Sequence, residues 1–435
     1  MYCGNCIRDN TLVTELRRLG HSTLMLPMYL PLTLDDANTS TGVPIFFSGI
    51  NVYLEQRGAL FRALPPGLHR FLAQPWLLRL VGKFAAKTRP AEVGDLTISM
   101  LQGEHGNQSR ELDELVRWLK GQTRPDVVCL SNILLLGLAR RLRQAIGSPV
   151  VCLLAGEDSF LDALPGPQRA EAWKILSDRT CDADLYLSPS RYFAERMAER
   201  LRLAPQRLRV VPPGINLAGF ESPPARRPAT PSPSAPPVVG YFARLCREKG
   251  LALLVEAFLL LKQRNRVPNL RLKIGGYCGP ADRPFVRELH RRLRTAGVLG
   301  DVEFHANLDR AAKIAFLKSL TVFSVPASYG EAFGLYLIEA LAAGVPVVQP
   351  RTAAFPEIIE ATGGGLLCEP NDPESLADAL ESLLLDPTRL QALGNAGRQA
   401  AHERYSARRM AEETLRALSE VAHSRSPVAS ATASA

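Results

Sequence analysis

The chain has 435 residues, of which 46% are hydrophobic and 22% charged. That composition excludes a wholly disordered, collagen-like or coiled-coil protein, and the length suits two domains. The net charge of +9 comes without a basic tail or an aromatic repeat, so an anionic small substrate or an anionic membrane surface is expected rather than nucleic acid. No run of about 18 apolar residues is present to span a bilayer. The opening stretch, with Cys3, Cys6, Arg8 and Asp9, lacks the apolar core of a leader. A cytoplasmic protein is the expectation.

In chain order, Ile7–Leu19 has helical spacing (Leu12, Leu16, Leu19) and stops at Gly20-His21, after which Ser22–Leu26 reads as a strand. Asp126–Leu130 and Pro149–Leu154 are apolar strand candidates with a helix at Leu136–Ala145 between them. Leu185–Leu187 and Arg209–Val211 continue the alternation. Glu221–Pro237 then breaks it: seven of its seventeen residues are Pro, so it reads as an extended linker. Beyond it come strands at Val238–Tyr241, Arg271–Ile274, Val302–Phe304, Val322–Val325, Val345–Val348 and Gly365–Cys368. Helices at Leu251–Arg264, Asp282–Ala296 and Ala311–Leu320 separate the first four.

Buried strands between helices predict parallel sheets covered on both faces, with ligands at the carboxyl ends of the strands. The expected fold class is α/β, with two doubly wound Rossmann-like domains. Their bounds are 1–220, a linker at 221–237, 238–400, a last helix at 401–422 and a disordered tail at 423–435. A doubly wound domain opens on a strand before its first glycine loop. None precedes Tyr2–Cys6, so a strand is expected to be missing ahead of Met1.

The eight cysteines are scattered. Cys129, Cys152, Cys246, Cys278 and Cys368 lie in or beside apolar runs and read as reduced core residues. Cys3-Gly4-Asn5-Cys6 is a lone C-x-x-C, for which packing and a redox pair are both open readings. Zinc is not expected, because no second such motif or His pair accompanies it.

The densest chemistry lies in Ser328–Glu339, SYGEAFGLYLIE, where Glu331 and Glu339 stand eight residues apart. Phe333, Gly334 and Leu335 open an amphipathic helix whose free N–H groups favour phosphate. Glutamates at these places suit the hydroxyls of a sugar and of a ribose. The same spacing also suits a plain solvated helix with an acidic residue at its start.

That stretch resembles the E-x7-E signature of family-4 retaining glycosyltransferases of the GT-B fold. So do GVPVVQPRTAAFPEIIEATGGGLLCEPNDP after it, YFARLCREKG at 241–250, Ile274-Gly275-Gly276 and VEFHAN at 302–307. LRRLGHSTLMLP and VVPPGINLAGF resemble the family's first domain. The resemblance implies two domains facing a central cleft and transfer from a nucleotide-sugar donor, with no resident cofactor or metal.

It assigns Arg244 and Lys249 to the donor diphosphate, where charge grows on the leaving group. Glu331 falls to the transferred sugar, Glu339 to the ribose, and the Gly334 and Leu335 amides to the distal phosphate. Gly275, Gly276, His305 and Phe333 fall on the donor side, as do Gly4 and Asn5 as a glycine loop. Ala306 departs from the usual glycine near the base. Leu154–Asp158 lacks the histidine many relatives carry, leaving Glu157 and Asp158 as the polar groups there.

The acceptor, a glycan, lipid or small molecule, is expected on the first domain, with His105, Ser131 and Asn132 as further candidates. Asp35-Asp36 and Asp182-x-Asp184 read as structural rather than metal-binding. Between Glu55 and Glu92 the chain has no acidic residue and seven Arg or Lys. Gly67–Lys87, which adds Phe71, Trp76 and Phe84, suits either a packed helical insertion or peripheral docking on the inner face of the membrane. A catalytically weak nucleotide-sugar-binding protein is the alternative to an enzyme.

Overall fold

The segment Pro212–Met410 carries a six-stranded parallel sheet. Its strands are β5 (Val238–Phe242), β6 (Arg271–Gly276), β7 (Val302–Ala306), β8 (Val322–Phe323), β9 (Val347–Pro350) and β10 (Gly365–Cys368). The computed structural model describes residues 4–28, 39–40, 43–47, 90–221 and 236–424. The order β10-β9-β8-β5-β6-β7 makes the chain step outward from β5 in one direction and then in the other. The switch point between β5 and β8 is where open α/β sheets bind ligands. This sheet and its helices form unit 2, and their local signals are strong. Helix Leu251–Arg264 starts after Gly250 at φ 73° and ends at Asn265 at φ 50°. It buries Leu251, Leu254, Val255, Phe258 and Leu261, one stripe of a 3.6-residue period.

Unit 1 holds the described residues up to Val211 and those from Ala411 onward. Its described sheet is parallel in the order β1-β2-β3-β4, formed by Val128–Leu130, Val150–Leu153, Leu185–Ser188 and Leu208–Val210. Both domains are thus Rossmann-like, as expected. The inward face of β2 and β3 (Val151, Leu153, Leu185, Leu187) packs against Ala417, Leu418 and Val421 of the last helix.

Four expectations need correction. Ser22–Leu26 forms no strand, and Leu24 is 51% exposed. A strand exists only as a member of a hydrogen-bonded pair, and no described strand runs beside it. The helix expected at Leu136–Ala145 begins as a 3-10 turn, Ile133–Leu138, before α-helix Ala139–Ile146. The last helix is not continuous from 401: one helix ends at Arg404 and another runs Ala407–Ser424. The break has a cause in Ile215, whose N–H donates to Tyr405 O at 2.9 Å and whose carbonyl accepts from Ala407 N at 2.8 Å. Of the five cysteines expected in the core, Cys152, Cys246 and Cys368 are buried and Cys278 is half-buried. Cys129 is exposed on β1, the end strand of the described sheet.

Asp35-Asp36, Gly67–Lys87, Cys3, residues 222–235 of the linker and the tail from 425 lie outside the described residues. Among the described residues no helix is long and apolar enough to cross a membrane.

The Ile215 bridge sets one expectation. A Cβ on Gly214 meets Ser406 O at 2.2 Å, so Gly214→Ala must push that backbone apart. It is expected to cost about 1–3 kcal/mol, read as a lower urea midpoint of the full chain. A midpoint equal to wild type would mean that the bridge does not constrain this corner.

Candidate active site

In unit 2 the loops after β5 and β8 are bound to each other. Ser328 N donates to Glu248 O at 3.1 Å. Gly250 has φ 73°, and a Cβ there would lie 1.8 Å from Pro326 O. This close approach brings Lys249, in the turn Arg247–Lys249, to Glu331. Lys249 Nζ donates both to Glu331 Oε2 and to Tyr329 Oη. The same Oε2 accepts from Tyr329 Oη and from Tyr336 Oη, each at 2.9 Å. The ammonium also faces both rings, 5.0 Å from the centroid of Tyr329 and 5.1 Å from that of Tyr336. Burial and the Glu331 carboxylate push both phenols up, so they act as donors and not as phenolates.

One carboxylate oxygen therefore takes three donors, while Glu331 Oε1 makes no hydrogen bond to a described residue. An ammonium has three N–H groups. Lys249 spends two here and keeps one.

Arg244 lies just past β5. Its Nε and Nη2 donate to Asp282 Oδ2 and Oδ1 at 3.0 and 3.1 Å, a two-point ion pair. The arginine side chain is 57% exposed and the aspartate 8%. Asp282 thus anchors the guanidinium and leaves Nη1 without a partner among the described residues. Gly334 takes φ 97° at the start of helix Leu335–Ala342. Glu339, a turn further on, pairs with Lys313.

Of the remaining donor-side candidates, Gly276 ends β6 at φ 133°, where a Cβ would lie 1.8 Å from Ala243 O. A Cβ on Gly275 would lie 2.6 Å from the Phe242 ring. Both glycines are thus explained by close packing, Gly275 against the last residue of β5 and Gly276 against the loop after it. His305, on β7, shares a hydrogen bond with Glu303 at 3.1 Å and sets its ring 5.5 Å from Phe316. Phe333 is buried and packs 5.8 Å from Tyr405, so its ring serves the core.

In unit 1 the polar candidates divide. Gly4 and Asn5 begin helix Gly4–Arg18 instead of forming a loop. Arg8 of that helix is buried, pairs with Asp9, and donates to Ser131 O at 2.7 Å and Leu154 O at 3.4 Å. Burial pushes the Asp9 carboxyl up. Glu157 is buried and accepts from Ile133 N at 3.0 Å and Ala155 N at 2.7 Å. Its pKa is also raised by burial. Asn132 accepts from Leu134 N at 3.0 Å and caps the turn after β1. Asp158 is buried and pairs with Arg196. Ser131, Asn132 and Glu157 therefore gather with Arg8 and Asp9 beyond β1 and β2, with much of their hydrogen bonding spent on backbone. His105, its side chain 76% exposed, ends a separate turn.

Six residues of these clusters are given no role by the sequence reading: Asp282, Lys313, Tyr329, Tyr336, and Arg8 with Asp9. The tyrosines alone stand inside a recognised motif. Among the described residues no group of three or more His, Cys, Asp or Glu is arranged to hold a metal ion.

Two family profiles cover consecutive parts of the chain. Glycosyltransferase Family 4 matches residues 98–218, and Glycosyl transferases group 1 matches residues 224–400. The chain belongs to the family-4 glycosyltransferases of the GT-B fold. A D-inositol 3-phosphate glycosyltransferase from Corynebacterium jeikeium is 30% identical over 231 residues, which are 52% of this chain and 55% of that protein. The chain thus spans about half the length of that relative. It spans more of D-inositol 3-phosphate glycosyltransferase 2 from Catenulispora acidiphila, which is 28% identical over 82% of this chain and 83% of its own. Among solved structures, Anabaena HepE in complex with UDP-glucose superposes with a TM-score of 0.61 at 16% identity. It covers 92% of this chain and 100% of HepE, a likeness of fold.

Family membership leaves the Glu157 loop a matter of plain hydrogen bonding. Glu157→Ala orphans the N–H groups of Ile133 and Ala155 and is expected to cost about 1–3 kcal/mol in urea unfolding. An unchanged midpoint would mean that water replaces the carboxylate at no cost.

Proposed function

We propose that the chain is a retaining glycosyltransferase that moves a sugar from a nucleotide-sugar donor, bound by unit 2, to a hydroxyl of a glycan, lipid or small-molecule acceptor. The observation that carries this reading is the pairing of Lys249 with Glu331 at the switch point of the unit 2 sheet. There, a cation with a spare N–H and a carboxylate with a spare oxygen lie side by side. A departing nucleoside diphosphate gains negative charge as the glycosidic bond breaks, and pre-oriented donors stabilise it without reorganising. Lys249, Arg244 Nη1 and the first amides of helix Leu335–Ala342 supply such donors. Glu331 Oε1 accepts from a hydroxyl of the departing sugar, and Glu339 from the ribose.

With a cationic pair at the diphosphate, transfer is proposed to proceed without a metal. With no histidine in Leu154–Asp158, the leaving phosphate is proposed to take the acceptor proton on the face where the new bond forms, which retains the anomeric configuration. The curated relatives named above act on inositol 3-phosphate, which makes a phosphorylated polyol a first acceptor to try. A cytoplasmic setting with peripheral contact on the inner membrane face belongs to the same reading.

Release of nucleoside diphosphate from UDP-, GDP-, ADP- and TDP-sugars, with inositol 3-phosphate and with EDTA present, tests this function. One donor is expected to turn over with the anomeric configuration kept. Arg244→Ala with Lys249→Ala should slow it about a hundredfold or more, the scale of losing oxyanion-type donors. Glu339→Ala should weaken donor binding about tenfold or more, the scale of hydrogen bonds to a charged acceptor. A wild-type chain that binds a nucleotide sugar and never releases diphosphate would instead be a binding protein.

A further inference from the structure

Helix Arg310–Lys318 buries Lys313, Ile314, Phe316 and Leu317. Lys313 is the one charged member of that set and is 7% exposed. An ammonium withdrawn from water is costly unless it is paired. Its Nζ donates to Glu339 Oε1 at 2.7 Å, with side-chain exposures of 9% and 17% for the pair. Neither head group has another hydrogen-bond partner among the described residues. The pair joins two helices that lie 26 residues apart along the chain at these positions.

The arrangement does more than neutralise charge. A glutamate on a helix has three side-chain torsions and loses them only at an entropic cost. Lys313, held in the apolar face of its own helix, fixes one oxygen of Glu339 and leaves Oε2 without a partner among the described residues. The same helix is tied to the carboxyl ends of the sheet through Phe316. Its ring lies 5.5 Å from those of Phe242 and His305 and 3.1 Å from where a Cβ on Gly275 would stand.

We propose that Lys313 is a positioning residue that locks Glu339 so that its free oxygen meets the ribose diol of the donor nucleotide, making the site selective for ribonucleotides. The inference rests on the nucleotide-sugar reading of unit 2. It adds a residue that no sequence motif marks.

The test is equilibrium binding of the full chain to UDP, GDP and ADP and to their 2′,3′-dideoxy counterparts, with folding checked by thermal melting. Whichever nucleotide wild type binds best, it is expected to be preferred over its dideoxy form by ~10-fold or more, the scale of hydrogen bonds to a charged acceptor. Lys313→Met should bring that ratio to within about twofold of one, as Glu339→Gln is also expected to do, and Lys313→Arg should keep a preference. A purely structural lysine would lower the melting temperature and weaken both ligands alike, so a wild-type ratio in Lys313→Met overturns the inference. Should Met not fold, Lys313→Ala, which lets water reach Glu339, takes its place. Failure of both to fold makes the pair structural and overturns the inference as well. If wild type binds none of the nucleotides, the donor-site reading itself fails, and that result is distinct from a ratio that does not move.

Discussion

One carboxylate oxygen, Glu331 Oε2, holds an ammonium and two phenols together, and the proposed donor side of unit 2 is arranged around it. It joins the loop after β5 to the loop after β8 and to the first turn of helix Leu335–Ala342. Every group in this knot is polar and largely shielded from water, so each must find a partner or leave an uncompensated cost. The partners are all present, and the surplus points outward: one N–H of Lys249 and one oxygen of Glu331. Binding capacity here is what remains after the protein has satisfied itself.

The same logic runs through the neighbouring groups. Arg244 is oriented by Asp282 and keeps Nη1, and Glu339 is oriented by Lys313 and keeps Oε2. Each charged side chain expected to bind the donor is paired with an oppositely charged residue. Side chains pinned in this way bring pre-organised donors and acceptors to a ligand and lose little freedom when it binds. Unit 1 behaves differently. Glu157 and Asn132 spend their oxygens on backbone N–H groups, and their roles are architectural first.

The sequence makes the frame of unit 2 plain, because buried parallel strands such as Val238–Phe242 and Arg271–Gly276 stand out between amphipathic helices. The loops with Lys249 and Glu331 are also visible, since their residues cluster within short motifs. The positioning partners are hidden. Asp282 is 38 residues from Arg244 and Lys313 is 26 from Glu339, and neither lies in a motif. Such pairing is decided by where whole elements come to rest, which local pattern does not encode. The absent strand at Ser22–Leu26 and the helix break at Tyr405–Ser406 share that cause. One lacks, among the described residues, a neighbour that local pattern assumes, and the other gains one, Ile215, from 190 residues upstream of Tyr405.

The claim beneath this account is that a diphosphate seats where the loops after β5 and β8 meet. Amide hydrogen exchange of the full chain, with and without saturating UDP, GDP or ADP, tests it most directly. Slower exchange confined mainly to residues 244–250 and 328–337 with at least one nucleotide is the predicted result. Protection elsewhere in the chain, with these two loops exchanging as fast as before, would contradict it.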